Sequence, residues 1–297
     1  MESISILSLV QAHCSLSPVD YDTFIKHYGI DISSDEVADL TVLKKNMFQI
    51  LPFVNIYSRF YVGYKIKHIS KEFDLLRFGD NCILNIELKR SSTVEKIKKQ
   101  LTRNHYYLSH INRVIHNFCF VVDTNTLYKL DASGELEEVG FELLVQLLTN
   151  QNLLNLDSPD CLFNPSDYLV SPSNSTDKFI NNQYFLTSHQ ESIRDQVISK
   201  ITSRTNAFIS ISGSAGTGKT LLTYDIVKCI QNTKRTLIVH CGQLNNGHIQ
   251  LVRNGWNIIP IKSLRQYDLI NFDVIVVDET QRIYPKQLDQ LIADAKV

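Results

Sequence analysis

Two groups of residues in this 297-residue chain have types and spacing suited to phosphate chemistry. The first is Gly213, Ser214, Ala215, Gly216, Thr217, Gly218, Lys219 and Thr220, a full match to G-x-x-x-x-G-K-[ST]. Glycines let successive backbone N–H groups turn inward around phosphate oxygens, and the N-terminus of a following helix adds a positive dipole. Lys219 would bring a point charge to the β- and γ-phosphates, and the Thr220 hydroxyl would ligate Mg2+. Random sequence of average composition gives such a match in roughly one chain in a hundred of this length. Downstream, Val274-Ile-Val-Val-Asp278-Glu279 ends an apolar run on two carboxylates. Open parallel sheets place their ligands at that end of a strand. Asp278 is expected to hold the metal and Glu279 to polarise the attacking water. A nucleoside triphosphate, ATP, with Mg2+ is the ligand implied.

The second group is Asp74, Glu87 and Lys89. Residues two apart on a strand share a face, so Glu87 and Lys89 are neighbours, and Asp74 joins them across a hairpin turning at Gly79-Asp80-Asn81. Two carboxylates and a lysine suit a Mg2+ site with a positive charge beside a nucleophilic water. The competing reading is a cross-strand ion pair on a solvated face, worth ~0.2–1 kcal/mol. Acid-x-Lys triplets are common, and Asp294-Ala-Lys296 is another, read as an exposed helix end. What separates Glu87 and Lys89 is the setting, since Ile83, Leu84, Ile86 and Leu88 make their strand a central one.

The elements that must position these residues follow from periodicity. A helix is expected near 35–51, then strands over 61–66, 72–78 and 82–90. Val94, Ile97, Leu101, Leu108, Ile111 and Ile115 predict a helix across 93–115. Strands at 118–123 and 127–130 and a helix near 141–148 complete a first region. From about 151 to 177 the chain is rich in Asn, Ser, Pro and Asp and reads as a linker. Beyond it, a helix over 188–202, a strand over 207–212, the glycine loop, a helix to about 231 and strands at 236–241 and 274–278 alternate as βαβ units. A smaller strand is expected at 257–261. The chain is therefore α/β, with domains at 1–150 and 178–297. Ser188 and Glu191 form a capping-box pattern for the 188–202 helix.

The second region resembles the first RecA-like motor domain of superfamily 1 DNA/RNA helicases. The likeness includes Leu186-Thr-Ser-His-Gln190, similar to the Q motif in which Gln190 would read adenine, Ser171-Pro-Ser-Asn174, and Asp278-Glu-Thr-Gln-Arg282. The chain ends soon after these residues. Lacking a second lobe and its arginine finger, it is expected to bind ATP, to hydrolyse it slowly and not to unwind strands. The missing lobe would have to come from self-association or from a partner chain. The first region resembles the PD-(D/E)xK, NERD-like nucleases, whose restriction-endonuclease-like α/β fold has this element order. That resemblance implies Asp74 and Glu87 as metal ligands, Lys89 as orienter of the nucleophile and Gln100 as a substrate-positioning residue.

Charge agrees with a polyanion partner locally and not globally. The formal net charge is −1, yet between 89 and 113 seven basic residues stand against Glu95 alone, with His105, Tyr106, Tyr107 and His110 among them. Nucleic acid is the expected partner, DNA in preference to RNA. Mg2+-dependent cleavage of phosphodiesters, gated by or coupled to ATP, is the function implied, and the resemblance adds phage defence or DNA processing. Two rivals are a catalytically silent nucleic-acid-binding domain that recruits an ATPase, and a nucleotide-sensing switch. Six scattered cysteines without a C-x-x-C pair fit reduced thiols, Glu2 stands where a leader would be basic, and no stretch reaches the ~20 apolar residues of a membrane span. A cytoplasmic protein without membrane contact is expected.

Overall fold

The computed structural model describes residues 1–67, 69, 71–203 and 207–295, with the side chains of 165 and 166 left aside. Lys296, of the Asp294-Ala-Lys296 triplet, lies outside the described residues. The chain divides into two compact units, Met1–Tyr168 and Leu169–Val297. Both are α/β, one on a six-stranded mixed sheet and the other on a three-stranded parallel sheet. Among the described residues no helix is long and apolar enough to cross a membrane.

The first unit opens with helices α1 (Ile6–Ser15), α2 (Pro18–Tyr28) and α3 (Ser34–Ile50). The sheet follows as β1 (Tyr61–Ile66), β2 (Lys71–Phe78) and β3 (Cys82–Lys89). Then come α4 (Val94–Ser109), β4 (Val114–Val121), β5 (Thr126–Leu130), β6 (Leu136–Val139) and α5 (Phe141–Thr149). The strands lie in chain order, antiparallel except for the parallel pair β3–β4 joined by α4. Alternation of β3 builds both faces at once. Leu84, Ile86 and Leu88 pack with α1, α3 and α5, while Ile83 points to the opposite side with Tyr107 and Leu108 of α4.

The helix expected to reach Ile115 stops at Ser109. Asn112 takes a left-handed backbone (φ 56°), which a helix interior excludes, and Ile115 already belongs to β4. The stretch expected as a linker divides instead. Phe163 and Tyr168 are buried against β1 and β2, so residues up to Tyr168 belong to the first unit and those from Leu169 open the second. A short helix, α6 (Pro165–Tyr168), ends the first unit.

Two devices shape the β1–β2 hairpin. Val62 and Leu75 pack on one face of the sheet, whereas Tyr64 and Phe73, two residues away, pack on the other. Strict alternation would keep each pair together, so the strands change face between them. Gly63 sits at that break with φ 67°, and an added Cβ would meet the Asp31 carbonyl at 2.8 Å. The register sets Gly63 opposite Asp74. The second device is Arg77, a guanidinium only 2 % exposed. It donates to the carbonyls of Ser58 (3.0 Å), Asn55 (2.8 Å) and Leu148 (2.8 Å) and to Gln151 Oε1 (3.3 Å). None of these carries a full negative charge, and burial pushes the guanidinium down to about 10. Leu148 lies in the last turn of α5, whose dipole favours a cation there.

The second unit runs α7 (Thr176–Ile180), α8 (Ser188–Thr202), α9 (Lys219–Ile230), β7 (Thr236–His240), α10 (Asn246–Arg253), β8 (Ile258–Pro260), β9 (Val274–Asp278) and α11 (Pro285–Asp294). The sheet order is β8-β7-β9. The strand expected at 207–212 is not formed: 207–214 carry no strand, and Phe208 and Ile209 are exposed. An apolar run becomes a strand only when a ladder partner takes its backbone groups. Here Ile211 packs instead between α8 and α9, beside Val197, Leu222 and Ile226.

Arg77→Met should lower the unfolding free energy by about 3 kcal/mol or more, because each buried acceptor left without its donor costs ~1–3 kcal/mol. Urea denaturation of the two proteins measures this, with wild-type-like stability the contrary result.

Candidate functional sites

In the first unit Glu87, 1 % exposed, lies on β3 beneath α4. A carboxylate at such depth is costly unless its oxygens are satisfied. Gln100 Nε2 donates to Oε2 at 2.9 Å and Asn104 Nδ2 to Oε1 at 2.7 Å. Gln100 and Asn104 are four apart on α4 and therefore share a face. Asn104, fully buried, stands in the apolar stripe of Ile97, Leu101 and Leu108. Sequence reasoning missed it. Its signal was the gap between Leu101 and Leu108, where the stripe needed an inward residue and an asparagine filled the place.

Continuing the β2–β3 register by one pair sets Asp74 opposite Glu87. The Leu88 backbone N–H donates to Asp74 Oδ2 at 2.7 Å. Lys89 Nζ stands 3.9 Å from Asp74 Oδ2 and 4.0 Å from Glu87 Oε2, close enough for attraction and too far for a hydrogen bond. The four residues Asp74, Glu87, Lys89 and Gln100 thus meet at one place. Burial, followed by the charge of Glu87, pushes the Asp74 carboxyl up to about 7. Burial draws the Lys89 ammonium down, and the two acids more than reverse this, leaving it raised. Cys119, across from Glu87 on β4, is pushed up to about 12 by burial and then by the same negative charge. Lys71 on β2 is a further cation in the field of Glu87 and Asp74, lowered by its burial.

Two carboxylates compressed in a low-dielectric site, with a carboxyl held partly protonated at neutral pH, are the donor set that a divalent cation relieves. Mg2+ commonly takes one or two carboxylates and completes its shell with water and phosphate. Asp74 and Glu87 fit that demand. Among the described residues there is no group of three or more His, Cys, Asp or Glu able to hold a metal.

The basic run beside the site is less free than its composition suggests. Arg90 pairs with Asp39 (2.9 Å), Lys98 with Glu135 (2.7 Å) and Arg113 with Asp80 (3.8 Å). Tyr107 is buried, and Tyr106, Tyr107 and His110 pack against one another and Tyr168. Tyr107 is core, and Tyr106 and His110 are half-buried against it and Tyr168. The side chains of Lys96, Lys99 and His105 are exposed on α4.

In the second unit the loop Gly213–Thr220 leads into α9, whose first residue is Lys219. Gly216 and Gly218 both take left-handed backbones, φ 77° and 78°. Lys219 Nζ folds back onto the carbonyls of Gly213 (2.9 Å) and Ser214 (2.8 Å). Thr217 Oγ1 donates to the Ser214 carbonyl, at 2.9 Å, tightening the loop. No hydrogen bond or ion pair links Thr220, Asp278 or Glu279 to the loop among the described residues.

Gln190 makes its contacts within the second unit at the α8 cap and the glycine loop. The capping box of α8 is Thr187 with Gln190, not Ser188 with Glu191, because the non-helical N-cap falls one residue earlier. Gln190 Oε1 accepts from Thr187 N (2.9 Å), and Nε2 donates to the Thr217 carbonyl (3.0 Å). An added Cβ at Gly218 would lie 2.5 Å from that nitrogen. The side chain therefore braces the loop.

Asp278 ends β9, 9 % exposed, with Oδ1 accepting from Glu279 N at 3.0 Å. Glu279 is a non-glycine residue in the left-handed region (φ 58°, ψ 41°), which costs ~1–2 kcal/mol. Its carboxylate accepts from Gln281 Nε2 (2.5 Å) and faces Arg282 (3.5 Å).

Asp74→Asn should raise the melting temperature of the metal-free protein at pH 7 and above. A folded-state pKa near 7 against an unfolded value near 3.8 means that the native state binds more protons between these limits, so wild-type stability falls as pH rises through the window. Melting curves in chelator from pH 4 to 8 check the sign: the advantage of the variant should open upward from pH 4 and level off above 7.

Compared with known proteins, this chain matches no family model, no curated protein and no solved structure.

Proposed function

We propose that the first unit hydrolyses nucleic-acid phosphodiesters with Mg2+ and that the second binds Mg2+ and ATP. The observation that carries the nuclease reading is Glu87, buried and held through both oxygens beside Asp74 and Lys89. Such a carboxylate is costly to build and is rarely kept for stability alone. Asp74 and Glu87 would hold the ion; bound there, Mg2+ supplies a Lewis acid for the phosphoryl oxygen and lowers the pKa of a coordinated water. Gln100 and Asn104 fix the Glu87 carboxylate, so little reorganisation is left for the reaction. Lys89 puts a positive charge within 4.0 Å of both acids, suited to stabilising charge that develops on the phosphoryl group. Lys96 and Lys99 on the exposed side of α4 suit contact with the nucleic-acid backbone. The restriction-endonuclease-like fold is part of this reading.

For the second unit, support comes from left-handed glycines at the start of a twelve-residue helix and from Lys219 at its first turn. Phosphate oxygens would replace the two carbonyls that now hold the ammonium. A RecA-like fold, and a further lobe supplied by self-association or a partner chain, belong to the same proposal. One observation favours a nucleotide sensor over a turnover enzyme: the Glu279 carboxylate is engaged by Gln281 and Arg282 rather than left open to activate water.

Incubation with labelled DNA and RNA should show cleavage that requires Mg2+ and stops in chelator. Lys89→Ala should slow it by about 10²–10³-fold, the usual loss when a preorganised electrostatic group is removed; undiminished cleavage by this variant removes the catalytic assignment. Equilibrium binding of a fluorescent ATP analogue should be lost in Lys219→Ala. If the second unit only senses nucleotide, Glu279→Gln should bind and signal as wild type does, whereas a turnover enzyme should lose phosphate release in both variants.

A further inference from the structure

His240 closes β7, and the parallel register with β9 sets it beside Asp278. Its Nδ1 lies 3.1 Å from Asp278 Oδ2. An ionised carboxylate only accepts, so His240 is the donor and carries its proton on Nδ1. Both side chains are buried, His240 8 % and Asp278 9 % exposed. With Oδ1 taken by the Glu279 N–H, each oxygen of Asp278 accepts one protein donor and keeps its remaining lone pair.

The imidazole is itself enclosed. The His248 ring packs on it with centroids 4.5 Å apart at 44°. His248 is fixed in turn by the start of α10, where its Nδ1 lies 2.8 Å from Asn245 Oδ1 and 3.2 Å from the Asn245 backbone nitrogen. Burial, then the neighbouring His240, holds His248 down at about 4, so it stays neutral against its partner. On the remaining side Gly242 leaves no spare volume, since an added Cβ would come within 2.8 Å of His240 Nε2. The ring therefore cannot turn away from Asp278 without breaking this packing.

We infer that His240 is a positioning residue for Asp278, fixing the rotation of its carboxylate and thereby the metal dependence of nucleotide binding by the second unit. This rests on reading Gly213–Thr220 and Asp278 as a Mg2+ and ATP site. Sequence reasoning gave His240 no role, because only the pairing of β7 with β9 brings it to the acid. Partners that orient metal-binding carboxylates typically contribute about 10–100-fold in metal affinity.

Asparagine can place an amide N–H close to the position of Nδ1, whereas the amide of glutamine extends toward the position of Nε2. The experiment titrates Mg2+ into wild type, His240→Asn, His240→Gln and His240→Ala in the presence of a fluorescent ATP analogue. Binding in chelator and melting temperature are measured for each. We expect His240→Gln and His240→Ala to need about 10–100-fold more Mg2+ for half-maximal binding. His240→Asn should stay within about threefold of wild type, and binding in chelator should be alike in all four. An unchanged Mg2+ requirement in His240→Gln overturns the inference. So does a His240→Asn as defective as His240→Gln, or a loss of equal size with and without Mg2+. If His240→Ala does not fold, the Asn and Gln pair decides. If wild type takes up no nucleotide with Mg2+, the ATP reading itself fails and this inference falls with it; wild-type uptake with indifferent variants sinks the inference alone.

Discussion

A carboxylate with almost no solvent access, Glu87, is the constraint around which the first unit is arranged. Moving an ionised group out of water costs several kcal/mol unless every oxygen finds a donor. The helix α4 meets this cost with Gln100 and Asn104, one turn apart. To deliver them, α4 must lie across β3 and β4, which it does as the crossover of the only parallel pair in that sheet among the described residues. On the other side, α1, α3 and α5 cover the apolar residues of the same strand. The same alternation that buries Leu84, Ile86 and Leu88 thus turns Glu87 toward its amides.

Asp74 reaches the site by a different route. A regular β1–β2 hairpin would keep Phe73 and Leu75 on one face, yet they pack on opposite faces. Gly63, in the left-handed region opposite Asp74, supplies the backbone freedom for that change. Arg77 then ties the far end of β2 to α5 and to the turn at Val54–Tyr57. The result is an acid pair whose mutual repulsion is built in, with Lys89 near both and bonded to neither.

The second unit uses the ends of parallel strands. His240 and Asp278 are side by side because β7 and β9 run together, and Glu279 follows in a strained conformation that turns the chain away from the sheet. The glycine loop meanwhile satisfies itself. Lys219 binds the loop's own carbonyls, and Gln190 spans from the α8 cap to Thr217. These internal bonds hold the loop in shape with its own carbonyls as the acceptors.

The amino-acid sequence alone determined the α/β character of both units, the strand over 61–66, the strand read as 82–90 to within one residue, and the meeting of Glu87 with Lys89, because periods of 2 and 3.6 are local properties of the backbone. It also marked Gly213–Thr220, since its glycines and lysine are consecutive. Only the tertiary structure decided that Asn104 faces Glu87, that His240 meets Asp278, and that Gln190 braces the loop. It also decided that Tyr107 is core with Tyr106 packed against it, and that 207–212 remains outside the sheet. Each of these depends on which surface a distant segment supplies. A side chain's hydrogen-bond partner and a strand's ladder partner are chosen by packing across the fold, and no local spacing encodes that choice.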